Sequence, residues 1–164
     1  MQPSNVSLLV CAPALVARQS AELLGYATFE EPQLRDLDIG RWAGRSLDEV
    51  AIAEPEAVAT WMTDPDAAIH GGESIRQLLD RVGTWMEHQL ERNSSTIGVT
   101  HPAVIRAAVV KAVGAPAESF WRVDIAPFSV TTLRGSLGRW NLVELAKRAS
   151  VDDVEHHGDH NATT

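Results

Sequence analysis

His101 stands where a short apolar run, Ser95-Thr96-Ile97-Gly98-Val99-Thr100, gives way to an alanine-rich stretch with helical spacing. A histidine there can take or give a proton near neutral pH, and the carboxyl end of a strand is where α/β enzymes present reacting groups. Asp36 lies in "LRDLDIGRWAG", whose Gly40 and Gly44 mark tight backbone. Brought together, Asp36 and His101 would do general acid–base chemistry. Gly72-Glu73-Ser74 opens the clearest helical pattern of the chain, and Trp42 on the glycine loop is a candidate to line a cleft. Cys11 would be a nucleophile only as a thiolate, and no cation close to it in sequence lowers its pKa. In the tail, His156, His157 and His160 stand among Asp152, Asp153, Glu155 and Asp159, a weak candidate set for zinc, nickel or cobalt. A solvated tail is the default there, and no cofactor is expected.

The bulk properties narrow the classes of partner. The chain has 164 residues, 45% of them hydrophobic, enough for one domain with a real core. A net charge of −8 and a pI near 5.1 argue against a nucleic-acid surface, which needs clustered Lys and Arg. No stretch approaches the roughly 20 apolar residues of a membrane span, and Met1-Gln2-Pro3-Ser4-Asn5 has no basic leader region. The single cysteine, Cys11, cannot form an internal disulfide. Its place in an apolar run predicts a small buried residue in a reducing compartment, so a cytoplasmic protein is expected.

The elements that must position these groups follow from periodicity and breakers. Val6 to Cys11 predicts a strand, and Leu15, Ala17, Ala21, Leu23 and Leu24 after Pro13 predict a helix ending at Gly25. Tyr26 to Glu30 suits a short second strand. Ser46-Leu47-Asp48-Glu49 fits a capping box, Glu54-Pro55 interrupts the helix it opens, and Glu56 to Met62 starts another. Ser74 is a cap for the helix in which Ile75, Leu78, Leu79, Val82, Trp85, Met86 and Leu90 form one apolar face. The strand Ile97–Thr100 then leads into a helix from Pro102 to Val113 that Gly114 stops, proline suiting a first helical position. "IAPFSVTTLRG" and "GRWNLVELA" read as an antiparallel pair. The order β, α, helical insertion, β, α, β, β predicts an α/β three-layer sandwich with a mostly parallel sheet covered on both faces. Residues 1–146 form the expected domain and 147–164 a polar tail expected to be disordered.

Five segments taken together resemble the histidine phosphatase (phosphoglycerate mutase-like) superfamily: "APALVARQSAELLG", "LRDLDIGRWAGRSLDEV", "HGGESIRQLLDRV", "IGVTHPAVIRAAV" and "APFSVTTL". They run in family order across about residues 8–145. The resemblance implies phosphoryl transfer through a phosphohistidine. The nucleophile of such enzymes lies in an Arg-His-Gly motif ending the first strand, cationic donors hold the phosphoryl oxygens, and an acid protonates the leaving oxygen. It assigns His101 to the second pocket histidine and Asp36 to the acid, with aspartate where the family has glutamate.

This chain has no Arg-His-Gly. In the favoured register it begins at the family's second strand, and Val16 stands where a phosphate-binding arginine is expected. Arg18 is two positions on, roughly 200° around a helix, and is no simple substitute. An alternative register sets Cys11-Ala12-Pro13 against Arg-His-Gly and still supplies no histidine. The "EHHGDH" of the tail follows no apolar strand, and is not a displaced nucleophile motif. The first strand is central in the family's sheet, so its absence requires that its neighbours pair directly or that a partner chain fills in, and a homodimer is expected.

Three functions follow. The favoured one is a degenerate member with little or no phosphatase activity that binds a phosphorylated small molecule or regulates, its residual pocket formed by His101, Asp36, Gly72, Glu73, Ser74 and Trp42. The second is a phosphomonoesterase for a small phosphorylated metabolite whose catalytic strand lies upstream of a misassigned start. The third is a divergent hydrolase using His101 or Cys11. The insertion around Ala51–Ala68 has few basic groups, which disfavours highly phosphorylated substrates.

Overall fold

Residues 8–23, 28–92, 94–136 and 138–148 are described by the computed structural model. Leu8–Cys11 (β1) is the middle strand of a three-stranded parallel sheet, between Phe29–Glu30 (β2) and Thr96–Val99 (β3). Leu8 pairs with Thr96 and Cys11 with Val99, while Val10 and Cys11 pair with Phe29 and Glu30. A parallel central strand is covered on both faces, so an unbroken apolar run suits it. Leu9 and Cys11 pack with Ala21 of helix α1 (Leu15–Leu23) on one side. On the other, Val10 and Ala12 join the main core with α4 (Ile75–Arg92) and α5 (Pro102–Val113).

The helix boundaries obey local chemistry. Ser46 and Glu49 make the reciprocal capping box that opens α2 (Leu47–Ala53), and Pro55 begins α3 (Pro55–Thr63). Gln77 N–H donates to the Ser74 hydroxyl at 3.2 Å, capping α4. Gly114 ends α5 with φ +65°, a left-handed conformation glycine adopts without steric cost. The insertion carries a second small core of Trp42, Val50, Val58 and Trp61, joined to the site loop through Leu37 and Ile39.

The expected single sheet is two sheets. Ser129–Ser136 (β4) and Arg139–Arg148 (β5) pair only with each other, antiparallel, among the described residues. They lay Leu133 and Trp140 against the main core. Direct closure between the neighbours of an absent strand is therefore not seen: β3 bonds to β1 on one edge and to no described strand on the other. β5 reaches Arg148, two residues past the expected domain boundary; the rest of the tail, with His156, His157 and His160, lies outside the described residues.

Candidate functional site

The site forms where the C-terminal end of β3 meets the loop after β2. His101 takes the N-cap position of α5, and its carbonyl accepts from Val104 and Ile105 N–H at 3.0 and 3.2 Å. Its side chain makes no cap bond. The imidazole turns instead toward Asp36, with Nδ1 3.4 Å from Oδ2, while Nε2 is buried without a partner. The two chemically capable residues read from the sequence thus stand together, an imidazole beside a carboxylate.

Two interactions hold the loop that delivers Asp36. The Thr100 hydroxyl donates to the Leu34 carbonyl at 2.6 Å, fastening the strand end to the loop. Arg81 of α4 spans the gap from the other side. Its guanidinium donates to the carbonyls of Gln33, Arg35 and Asp36, and it takes Glu73 in a bidentate pair, 2.8 Å on each arm. Both members of the pair are about nine-tenths buried, and Arg35 adds a longer contact to Glu73 at 3.4 Å.

This arrangement corrects part of the expected pocket. Glu73 is held by Arg81 and Arg35, and the Ser74 hydroxyl accepts the Gln77 N–H as the helix cap, so both side chains have structural partners. Gly72 packs backbone to backbone on Asp38. Trp42 does not line a cleft. It is 2% exposed, wedged edge-on against Trp61 and His70, with Nε1 donating to Glu54 at 3.3 Å. The small core of the insertion, with Val50, Val58 and Trp61, draws the indole inward. Cys11 is buried on the α1 side, and burial pushes its thiol up, away from thiolate chemistry.

Sequence reasoning passed over two residues. Arg81 looked like one more polar position on α4, and only its reach back to residues 33–36 gives it a role. His70 is the other. It is 1% exposed, accepts the Gly72 N–H on Nδ1 at 3.0 Å, and leaves Nε2 buried without a partner between Trp42 and Trp61. Its carbonyl accepts from Arg41 N–H at 3.0 Å, tying the Gly40 loop to the turn before α4. A histidine directly ahead of Gly71-Gly72 was the available signal.

Burial lowers the His70 pKa below its usual 6.5, Arg41 adding to this and Asp38 opposing it. The native state therefore favours the neutral ring, and the unfolded chain binds the extra proton. Stability contributed by neutral His70 is complete above about pH 6.5 and falls as the pH drops below that value. The melting temperature is expected to decline between pH 7.5 and 5.5, and His70→Asn, which keeps an acceptor for Gly72, to flatten that decline. An equal decline in both proteins would remove His70 from the account.

The arginines of the neighbouring elements stand close to carboxylates, although the Nε of Arg106 on α5 is buried without a partner. Arg18 is paired with Glu30 at 3.2 Å, Arg35 and Arg81 with Glu73, and Arg106 with Asp124 at 3.7 Å. Val16 is 70% exposed on α1 and offers nothing to an anion. Among the described residues no three His, Cys, Asp or Glu are grouped to hold a metal ion, and no helix is long and apolar enough to cross a membrane.

The fold is shared with solved phosphatases. A mycobacterial glucosyl-3-phosphoglycerate phosphatase superposes with a TM-score of 0.77 at 21% identity, over 88% of this chain and 79% of that one. The alpha-ribazole phosphatase of Shigella flexneri gives a TM-score of 0.75 at 22% identity, over 89% and 76%. In sequence, phosphoserine phosphatase 1 of Hydrogenobacter thermophilus is 29% identical over 121 residues. That match takes in 71% of this chain but only 57% of the relative, so the chain spans little more than half of that protein. Since the family's own sequence profile also matches residues 1–148, nearly the whole chain, this protein belongs to the histidine phosphatase superfamily, branch 1.

Proposed function

We propose that this chain is a binding or regulatory member of its superfamily, without phosphatase turnover of its own, whose residual pocket takes a small phosphate monoester. One observation carries the reading: His101 and Asp36 are 3.4 Å apart, while Arg18, Arg35, Arg81 and Arg106 each stand within 4 Å of a carboxylate. Phosphoryl transfer places negative charge on three oxygens, and stabilising it by preorganised cations and N–H donors is the larger share of catalysis. An acid–base couple without those donors keeps the proton chemistry and lacks the charge stabilisation. The relatives' names support the ligand class, since each is a phosphatase named for a small metabolite.

Hydrolysis of 4-nitrophenyl phosphate from pH 5 to 8, by the wild type beside His101→Ala, tests this. No turnover above background in either protein is expected. Turnover abolished by the substitution would show an assembled active site and overturn the reading. A second reading, a phosphomonoesterase completed by a further strand, is favoured by the edge of β3 that no described strand pairs, since β3 ends two residues before His101.

A further inference from the structure

At the end of α5 remote from His101 lies a groove of about 680 Å³, between the later turns of α4 and α5 and the start of β5. Lys111 is ten residues past His101, which puts the groove roughly 15 Å along the helix from the site already described. Its volume is in the range of small-molecule sites, about 300–1,000 Å³. Met86, Leu90 and Leu142 give it apolar walls, and Lys111 and Arg139 bring two cations to it from different elements.

Gly83 fixes where the Lys111 side chain sits. It is buried within α4, where glycine is a poor helix former. A Cβ there would meet Lys111 Cε at 2.5 Å and Nζ at 3.0 Å, so the lysine lies across α4 at this position. A lysine serving only the carbonyl end of α5 would need no such gap in a neighbouring helix. Neither Lys111 nor Arg139 has a carboxylate within 4 Å among the described residues. Glu87 is the acidic residue that lines the groove, and it too stands beyond that distance from both. Trp140, another lining residue, keeps its Nε1–H buried without an acceptor.

We propose that this groove binds a small carboxylate with an apolar body, the carboxylate between Lys111 and Arg139 and the body against Met86, Leu90 and Trp140. Charge selects the class. Two cations and one carboxylate leave the groove a single positive charge, which matches a monoanion better than a phosphate group carrying about −1.5 to −2. The chain as a whole carries −8, so the attraction must come from these two side chains and must fade with added salt. A planar carboxylate suits the donor fork of Arg139, while Lys111 contributes a point charge. The groove is separate from the His101–Asp36 pair, and the inference holds whether or not that pair turns over phosphate.

The test titrates 2-naphthoate into the 164-residue chain and follows the indole N–H resonances by heteronuclear NMR, Trp140→Phe identifying the Trp140 signal. 2-Naphthamide, with the same rings and no charge, is the control ligand. A saturable shift of the Trp140 resonance by naphthoate is expected, weakened about tenfold for the amide and about fivefold in Lys111→Met and in Arg139→Gln. Gly83→Ala is the sharper variant, because its Cβ displaces the Lys111 head while the helix gains a better former. It is expected to bind naphthoate about fivefold more weakly and to melt at or above the wild-type temperature. A Trp140 signal that naphthoate leaves in place, an amide that binds equally, or cation variants that bind as the wild type does would each overturn the inference. Preference for 2-naphthyl phosphate at the Trp140 signal would overturn the carboxylate class and give the groove to a phosphate ester. None of these outcomes bears on turnover at His101, which the aryl phosphate assay reads separately.

Discussion

Glu73→Ala is expected to lower stability by about 3 kcal/mol, the low end of the roughly 3–5 kcal/mol that breaking one side of a buried ion pair costs. The expected loss is large because Arg81 would keep its charge about nine-tenths buried with no bidentate partner. It sits at the low end because the carbonyls of Gln33, Arg35 and Asp36 still accept from the guanidinium. In a domain of this size each kcal/mol moves the melting temperature by about 2–4 °C, so a drop near 10 °C should be seen by calorimetry. The double variant Glu73→Ala, Arg81→Met is expected to recover part of the loss, since it removes the stranded charge with its partner. A single variant within about 1 kcal/mol of wild type would show that the pair contributes only as an exposed one does. The effect reaches the site, because Arg81 also fastens the loop that sets the distance from Asp36 to His101.

Gly72→Ala is expected to cost at least as much, for a steric reason. A Cβ at Gly72 would lie 2.1 Å from the Asp38 carbonyl oxygen and 2.7 Å from the Gly40 nitrogen, and both neighbours are backbone. Overpacking against side chains that can swing away costs about 1–3 kcal/mol, and here no rotamer change relieves it. The Asp38–Gly40 loop must part from the turn before α4, breaking the 2.7 Å bond from Glu73 N–H to the Asp38 carbonyl. Gly71→Ala is the control. Gly71 has φ +80° with nothing within 4 Å of its Cβ position, so its substitution carries only the left-handed backbone penalty of about 1–2 kcal/mol. Urea denaturation should separate the neighbours by more than a kcal/mol, and equal losses would mean that the loops are not in contact.

Much of the architecture was legible in the linear order of residues, because local rules suffice for it. The capping box at Ser46 and Glu49, the proline at the head of α5 and the glycine that stops it are decided within one or two turns of chain. The apolar face of α4 is a matter of period alone. Asp36 and His101 were found through a resemblance to known motifs, and their spacing in sequence says nothing of the 3.4 Å between them. Trp42 shows the opposite case. An indole on a glycine loop reads as a cleft residue, and only the packing of α2 and α3 shows it serving as their core.

From its sequence alone, then, the chain determined its helices, its strands, its family and the want of an Arg-His-Gly motif, since each depends on residue type and short-range order. The tertiary structure alone decided that Glu73 belongs to Arg81, that His70 is sealed between two indoles, and that β3 is the last described strand of the parallel sheet. These depend on which groups compete for the same partner across 8 to 66 residues of chain, and that competition is settled by burial and geometry in three dimensions.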